Sequence, residues 1–285
     1  MKDLVIIGAG GFGREMFGAA REAVRKRGFG VGVVLPNSFA TAWEMWRMGV
    51  PVRVGRAGRL RSWLLTHRLP EWRRGEGEGQ WHQLSYYLEL ASVFGDFEWS
   101  AECPPLQVDG TFAQAHGIAR GRGWLALAPG ANYGLAKQWG VENFIFVAEE
   151  WLRRGGQVVL VGTAKERLMC EELAKWCTGK ALNLAGRTTM AELMAVLAGV
   201  DGVVANDSGA MHLAAALGTP GIGIFASTDP VATGPLGAPW ELLVADVPCR
   251  PCLKRECPLK DRRRYQCKAA LPAERVTALL DTLRK

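Results

Sequence analysis

The second half of this chain alternates short, uninterrupted apolar runs with segments of helical composition, and that pattern leaves few folds open. Residues 124–128, 157–161, 202–205 and 221–225 read as strands, with helices expected near 142–154, 166–177, 189–199 and 210–217. Strands that are apolar at every position are buried on both faces, which is the habit of a parallel sheet covered by helices. Strand–helix alternation with right-handed crossovers makes such a sheet doubly wound, so the fold class is α/β. Thr188 or Thr189 caps the third of these helices, and a helix over 272–283 closes the chain. The first half starts in the same manner, with a strand over 4–7, a glycine turn over 8–13, a helix over 14–27 and a strand over 31–35. Helical composition over 40–48, a short strand over 50–54 and helical spacing over 83–94 follow. Residues 117–123, which include Arg120 and Arg122, read as a linker between two domains, 1–120 and 121–285. A chain of 285 residues is long enough for two such cores.

Two loops leave this alternation at strand ends. One is Pro129-Gly130-Ala131-Asn132-Tyr133-Gly134-Leu135-Ala136-Lys137, and the other is Asn206-Asp207-Ser208-Gly209-Ala210-Met211-His212. In an open α/β sheet both emerge at the carboxyl edge, where ligands bind. Small residues let backbone N–H groups approach an anion, a helix start adds positive potential, and Lys137 adds a full charge. The combination suits a diphosphate. Asp207 and Ser208 also stand where a helix cap is expected, and capping and ligand binding use the same edge. His212 lies one turn into an otherwise apolar helix, so packing and ligand contact are both open to it.

The formal net charge of +7 favours an anionic partner, and on charge alone nucleic acid, a phosphorylated glycan and an acidic membrane surface all qualify. The longest apolar regions are interrupted by Asn206, Asp207 and His212, so no membrane span is expected; residues 4–7 are too short an apolar run for a signal peptide. These features point to a cytoplasmic protein, peripheral to a membrane if it meets one. Seven arginines (53, 56, 59, 61, 68, 73 and 74) with no lysine among them suit phosphate or carboxylate, which guanidinium grips in a fork; a solvated face is the alternative. Trp43 and Trp46 read as packing residues.

Four of the seven cysteines form Cys249-x2-Cys252-x4-Cys257-x9-Cys267 in a basic segment. The spacing allows a structural zinc site with four thiolates, or an iron–sulfur cluster; reduced, unligated thiols are the plain alternative in a cytosolic chain. Gly8-Ala9-Gly10-Gly11-Phe12-Gly13 satisfies the dinucleotide pattern, yet the strand ending at Leu35 is followed by Pro36 and Asn37 where a nicotinamide dinucleotide site needs an acid. An NAD(P)-dependent oxidoreductase is therefore a competing reading with one half of its signature. The same start is similar to that of sugar acyltransferases, but the hexapeptide repeats these need do not occur.

Pro129-Gly130-Ala131, Gly134, Ala136-Lys137 and Trp139 resemble the phosphate loop of the ADP-heptose:lipopolysaccharide heptosyltransferases, glycosyltransferase family 9. Asn206-Asp207-Ser208-Gly209-Ala210-Met211-His212, continuing through Gly218-Thr219-Pro220, is similar to that family's second hallmark, as are Asn183-Leu184-Ala185-Gly186, Leu35-Pro36-Asn37-Ser38-Phe39 and Leu64-Leu65-Thr66-His67-Arg68. The resemblance covers residues 18 to 285 and is nearest to the type II enzymes, which add a second heptose to the inner core. It implies a GT-B architecture, two Rossmann-like domains facing across a cleft, with the acceptor on the amino-terminal side. The implied activity is inverting, metal-independent transfer of heptose from ADP-heptose to the lipopolysaccharide inner core, with no nucleic-acid partner and with peripheral contact at the inner face of the inner membrane. Lys137 and the amides of Ser208, Gly209, Ala210 and Met211 would hold the departing diphosphate, Asp207 the sugar hydroxyls, Asn132 or Tyr133 a phosphate or the base, and Glu166 the ribose. The amino terminus departs from the family. Arg14 stands where relatives carry the aspartate base, a β-α segment before residue 31 is missing, and Glu15 is left as the substitute base. A transferase that binds donor without turnover is the second reading.

Overall fold

The computed structural model describes residues 4–7, 26–71, 82–95 and 105–284, with residues 4–7 and 284 described by backbone alone. The glycine turn, Arg14, Glu15, Arg73, Arg74 and residues 14–25 of the helix expected over 14–27 lie outside the described residues. The chain divides between Ser100 and Ala101 into two units. Each carries a parallel sheet.

In the first unit the strands run β1 (Leu4–Ile7), β2 (Val31–Val34), β3 (Val52–Arg56) and β4 (His67–Leu69), in that spatial order and all parallel. Helix Phe39–Arg47 starts where the Ser38 hydroxyl accepts a bond from the Thr41 amide, and it buries Ala42 and Met45 against Val34, Val50, Leu64 and Leu65. Much of the arginine run turns inward here. Arg56 and Arg61 are fully buried; the Arg61 Nε donates to the Arg56 carbonyl (3.0 Å), and Arg56 binds the Pro70 and Tyr86 carbonyls and pairs with Glu89. Arg53 donates to the Leu64 carbonyl (2.6 Å). These three guanidiniums tie loops to β3, so the expectation of a phosphate-recognising arginine face does not hold for them.

The second unit orders its six parallel strands β10-β9-β8-β5-β6-β7, where β5 is Trp124–Ala128, β6 Gln157–Leu160, β7 Ala181–Asn183, β8 Gly202–Asn206, β9 Gly221–Phe225 and β10 Trp240–Val244. Side chains alternate between its faces as a pleat requires. Leu125, Leu127, Val158 and Leu160 meet helices Val141–Arg153 and Arg167–Trp176, while Ala126, Ala128, Val159 and Val203 meet helices Met190–Gly199 and Gly209–Ala216. Helix Val141–Arg153 buries Phe144, Val147, Ala148 and Trp151, the i, i+3, i+4, i+7 stripe that seats one helix face on a sheet. Residues 117–123 belong inside this unit. The Trp124 indole donates to the Gly117 carbonyl (2.9 Å), the Leu106 amide donates to the Ala216 carbonyl (2.8 Å), and Ile118 is buried with the β5 core. The stretch expected to link two domains is thus the turn that leads into β5.

Strand order places the ligand edge. The chain runs outward from β5 to β6 and β7, then returns to lay β8 on the other side of β5. That reversal makes the carboxyl ends of β5 and β8 a topological switch point, where diverging connections leave a crevice. Both motif loops start there.

Trp151 is fully buried and its indole donates to the Gly123 carbonyl (2.9 Å). Trp151→Ala should lower unfolding free energy by about 3–5 kcal/mol, measured by urea titration, because it opens a cavity beneath β5.

Candidate active site

Asn206, the last residue of β8, holds the two loops together. It is completely buried; its Oδ1 accepts the Trp139 amide (3.0 Å) and its Nδ2 donates to the Pro129 carbonyl (2.7 Å). One side-chain amide therefore grips the phosphate-type loop at both ends. Trp139, buried beside it, donates its indole N–H to the Leu271 carbonyl (2.7 Å). Between these anchors the loop carries Lys137 back toward β8.

The Lys137 ammonium lies 2.7 Å from Asp207 Oδ2, in a pair that leaves Lys137 17% and Asp207 4% exposed. His212 Nε2 stands 3.8 Å from the other carboxylate oxygen and is itself exposed, so it faces the site rather than the core. Burial alone would raise the Asp207 carboxyl; the neighbouring His212 and Lys137 outweigh it and hold the group at about 2. The Tyr133 ring has Lys137 Nζ at 5.1 Å from its centroid and the Arg255 guanidinium at 5.5 Å, and its hydroxyl donates to the Leu253 carbonyl (2.9 Å). Tyr133 thus braces the loop beside the ammonium.

Helix Gly209–Ala216 begins without a side-chain cap. Ser208 occupies the cap position but makes no capping bond, and its buried Oγ has no hydrogen-bond partner. The amides of the first turn have no partner within any helix, so this uncapped start presents donors and partial positive charge beside Asp207. Met211 is fully buried in the core, so only its backbone can serve a ligand.

A cavity of about 680 Å³ opens beside this edge. Of the residues singled out from sequence, Gly130, Asn132, Glu166, Ser208, Gly209 and Ala210 line it, whereas Tyr133, Lys137, Asp207, Met211 and His212 do not. The Glu166 carboxylate accepts from the Thr163 amide (2.6 Å) and hydroxyl (2.9 Å) and lies so close to Gly130 that any Cβ there would overlap it. Gly130 is required for that approach. Thr188, Met190, Leu193 and Leu213 complete an apolar wall. Met190, Leu193 and Leu213 were not singled out, and Thr188 only as a helix cap, although Asn183-Leu184-Ala185-Gly186 followed by two threonines marks where that wall begins. A mostly apolar hollow of this size with a few aimed polar groups suits an aromatic base attached to an anion.

The four cysteines of the basic segment line one small cavity of about 60 Å³. Among the described residues, no three His, Cys, Asp or Glu side chains stand together at metal-binding geometry. No helix among them is long and apolar enough to cross a membrane.

Two parallel-sheet α/β units, one with an anion-type pocket at its switch point, define the fold of the GT-B heptosyltransferases. The profile of glycosyltransferase family 9 (heptosyltransferase) matches residues 17–262, and the chain belongs to that family. It is 29% identical over 232 residues to lipopolysaccharide heptosyltransferase 2 of Escherichia coli K12, a match covering 75% of this chain and 64% of that protein. The chain thus spans less than two thirds of that relative's length. The solved structure of E. coli ADP-heptose lipopolysaccharide heptosyltransferase II aligns with a TM-score of 0.74 at 25% identity, covering 95% of this chain and 81% of the other. E. coli heptosyltransferase WaaC with ADP shares the fold, with a TM-score of 0.66 at 21% identity over 95% of this chain and 78% of that one.

Asn206→Ala should destabilise the protein by about 1–3 kcal/mol in urea titrations, since the Trp139 amide loses its buried acceptor. Acid titration tests the ion pair. Because the Asp207 carboxyl is held down to about 2, its contribution is present above the ordinary carboxylate range and lost as pH falls from about 4 through 2. Asp207→Asn should remove a stability increment of about 2 kcal/mol at neutral pH and flatten that acid limb.

Proposed function

We propose that this chain transfers heptose from ADP-heptose to the lipopolysaccharide inner core, with inversion at the anomeric carbon. The observation that carries the reading is the junction of Lys137, Asp207 and the uncapped start of helix Gly209–Ala216 beside a cavity sized for a nucleotide. Family membership supports the class of reaction, and a relative of the same fold has been solved with ADP.

In this reading the adenosine occupies the apolar hollow formed by Met190, Leu193 and Leu213, and Glu166 accepts hydrogen bonds from the ribose. The diphosphate lies over the amides of Gly209, Ala210 and Met211, with the Ser208 hydroxyl as a further donor. Lys137 supplies the full positive charge, and no step calls on a metal. Its pairing with Asp207 keeps the ammonium half-desolvated and aimed before the donor arrives, so little reorganisation is needed as charge develops. The bond from the anomeric carbon to the diphosphate breaks as the acceptor oxygen attacks from the opposite face. The diphosphate keeps the bonding electrons, and the acceptor's proton passes to a carboxylate. We assign that role to Glu15, the acid nearest the family's base position. Asp207 orients the sugar by accepting from its hydroxyls.

The acceptor is an anionic amphiphile, and the net charge of +7 suits work at an anionic surface; we place the protein in the cytoplasm, peripheral to the inner membrane.

Calorimetry with ADP in the presence of a divalent-metal chelator tests the donor site. The folded protein should bind, and Lys137→Ala should weaken binding about 10- to 100-fold, the value of one charge-assisted contact. Absence of ADP binding by folded protein would overturn the proposal. With ADP-heptose and a heptose-bearing acceptor, Glu15→Gln should abolish transfer while leaving ADP affinity unchanged. Binding by the parent protein without transfer would favour the donor-binding reading that Arg14 at the base position suggests.

A further inference from the structure

Three exposed aromatic rings of the first unit belong to one cluster. Helix Phe39–Arg47 carries Phe39, Trp43 and Trp46 at i, i+4 and i+7, a single stripe along its surface. Phe39 stacks on Trp43 with ring centroids 5.9 Å apart, and Trp43 meets Trp46 at 4.9 Å. Trp63, from the turn Ser62–Leu64, stands 6.4, 6.1 and 6.5 Å from these three rings in chain order. Such separations are those of favourable aromatic pairs. Trp43 packs on the unit's core, in keeping with the packing role expected of it. Trp46 departs from that expectation: it is 45% exposed, Phe39 42% and Trp63 59%. The rings therefore hold one another in place while half of each outer ring stays in water, which marks a contact surface.

The turn before Trp63 extends this surface. Arg59 and Leu60 both take left-handed backbone (φ 49° and 57°), a conformation costly for a branched apolar residue, and Leu60 is 88% exposed. Leu60 is three residues from Trp63, so the two lie within about 11 Å along the chain. A strained turn that holds an apolar tip in water, beside an arginine, adds nothing to the unit's own packing. Charge gathers in the same stretch. Residues 26–71 contain eight lysines and arginines against two glutamates, and so hold nearly all of the formal net charge of +7. Arg53, Arg56 and Arg61 bind carbonyls, whereas Arg47, next to Trp46, and Arg59, next to Leu60, are exposed. Glu44 lies 4.0 Å from Arg47.

Two chemistries could cover exposed rings of this kind, a sugar face or a lipid surface. The outer rings are inclined at 51° (Phe39–Trp63) and 63° (Trp46–Trp63), so they form no shared flat platform for a sugar. Aromatic rings next to guanidinium groups match the boundary of an anionic bilayer, where rings settle at headgroup level and cations meet phosphates. We infer that Phe39, Trp46, Leu60 and Trp63 enter the surface of a bilayer rich in anionic phospholipid, with Arg47 and Arg59 on its phosphates. The surface stands on these residues; that it brings the protein to a lipid-anchored acceptor rests on the function proposed above.

Co-sedimentation of the full chain with vesicles of phosphatidylglycerol and phosphatidylcholine tests the assignment. The parent protein should bind them at low salt about tenfold more tightly than pure phosphatidylcholine, and release them as ionic strength rises. Trp46→Ser/Trp63→Ser should weaken binding about tenfold through lost apolar contact, and Arg59→Gln about fivefold, the value of one cation near such a surface. Leu60→Ser, at a fully exposed tip, should weaken it about threefold and serves if the double variant does not fold by circular dichroism. All these variants should bind ADP as the parent does. No binding to anionic vesicles, equal binding to neutral ones, or parent-like binding by the folded variants would overturn the surface. Without vesicle binding, a soluble deacylated core oligosaccharide that binds the parent but not the double variant would make the cluster a sugar site. A dimer that the double variant dissociates in sedimentation velocity, again without vesicle binding, would make it a contact between copies. Vesicle binding without ADP binding sinks the donor reading and leaves the surface; ADP binding without vesicle binding does the reverse.

Discussion

The Asn206 side-chain amide is the constraint on which the rest of the second unit's active edge depends. A planar group with one acceptor and two donors, it is buried at the end of β8 and bound to both ends of a loop that starts on β5. Substitution by a neutral hydrophobe would leave three backbone groups without partners in a dry place. That cost explains why a polar residue ends an otherwise apolar strand. It also sets the distance over which Lys137 can reach, since the loop between Pro129 and Trp139 has fixed ends.

From that anchor the electrostatics follow. Lys137 and Asp207 come from strands apart in sequence and adjacent in space, and their burial makes each the partner the other requires. The pair sits next to a helix start whose cap residue leaves its hydroxyl unused. A structure optimised only for stability would close that cap. An open cap, an aimed ammonium and a glycine that admits a carboxylate make a polarised edge, which is costly in isolation and suited to an anionic ligand.

The strands that were plain in sequence are those buried on both sides. β5, β8 and β9 are buried at every residue and appear as unbroken apolar runs. β4, β7 and β10 were not anticipated, and all three lie at sheet edges, where solvent on one side erases the uniform pattern. The closing helix expected over 272–283 is two short pieces, the α-helix Ala273–Thr277 and the 3-10 turn Leu280–Arg284, although Ala273, Val276, Leu280 and Leu283 are buried at helical spacing. At the site, the anion-type residues Lys137, Asp207 and Ser208 were legible from residue type and strand-end position. Asn206 as a clamp, Tyr133 as a brace and the wall of Met190, Leu193 and Leu213 were not, since each role depends on what lies opposite.

Sequence by itself determined the alternation of strand and helix, the buried strands, and the two small-residue loops at strand ends. These are local properties, written in periodicities of two and 3.6 residues and in the backbone freedom of glycine. Tertiary structure alone decided that β8 lies against β5, that three of the arginines face inward, and that Leu253 and Arg255 lie against the loop that carries Lys137. Those outcomes come from packing between residues dozens of positions apart, where the free energy depends on which surfaces fit together and no local pattern records the choice.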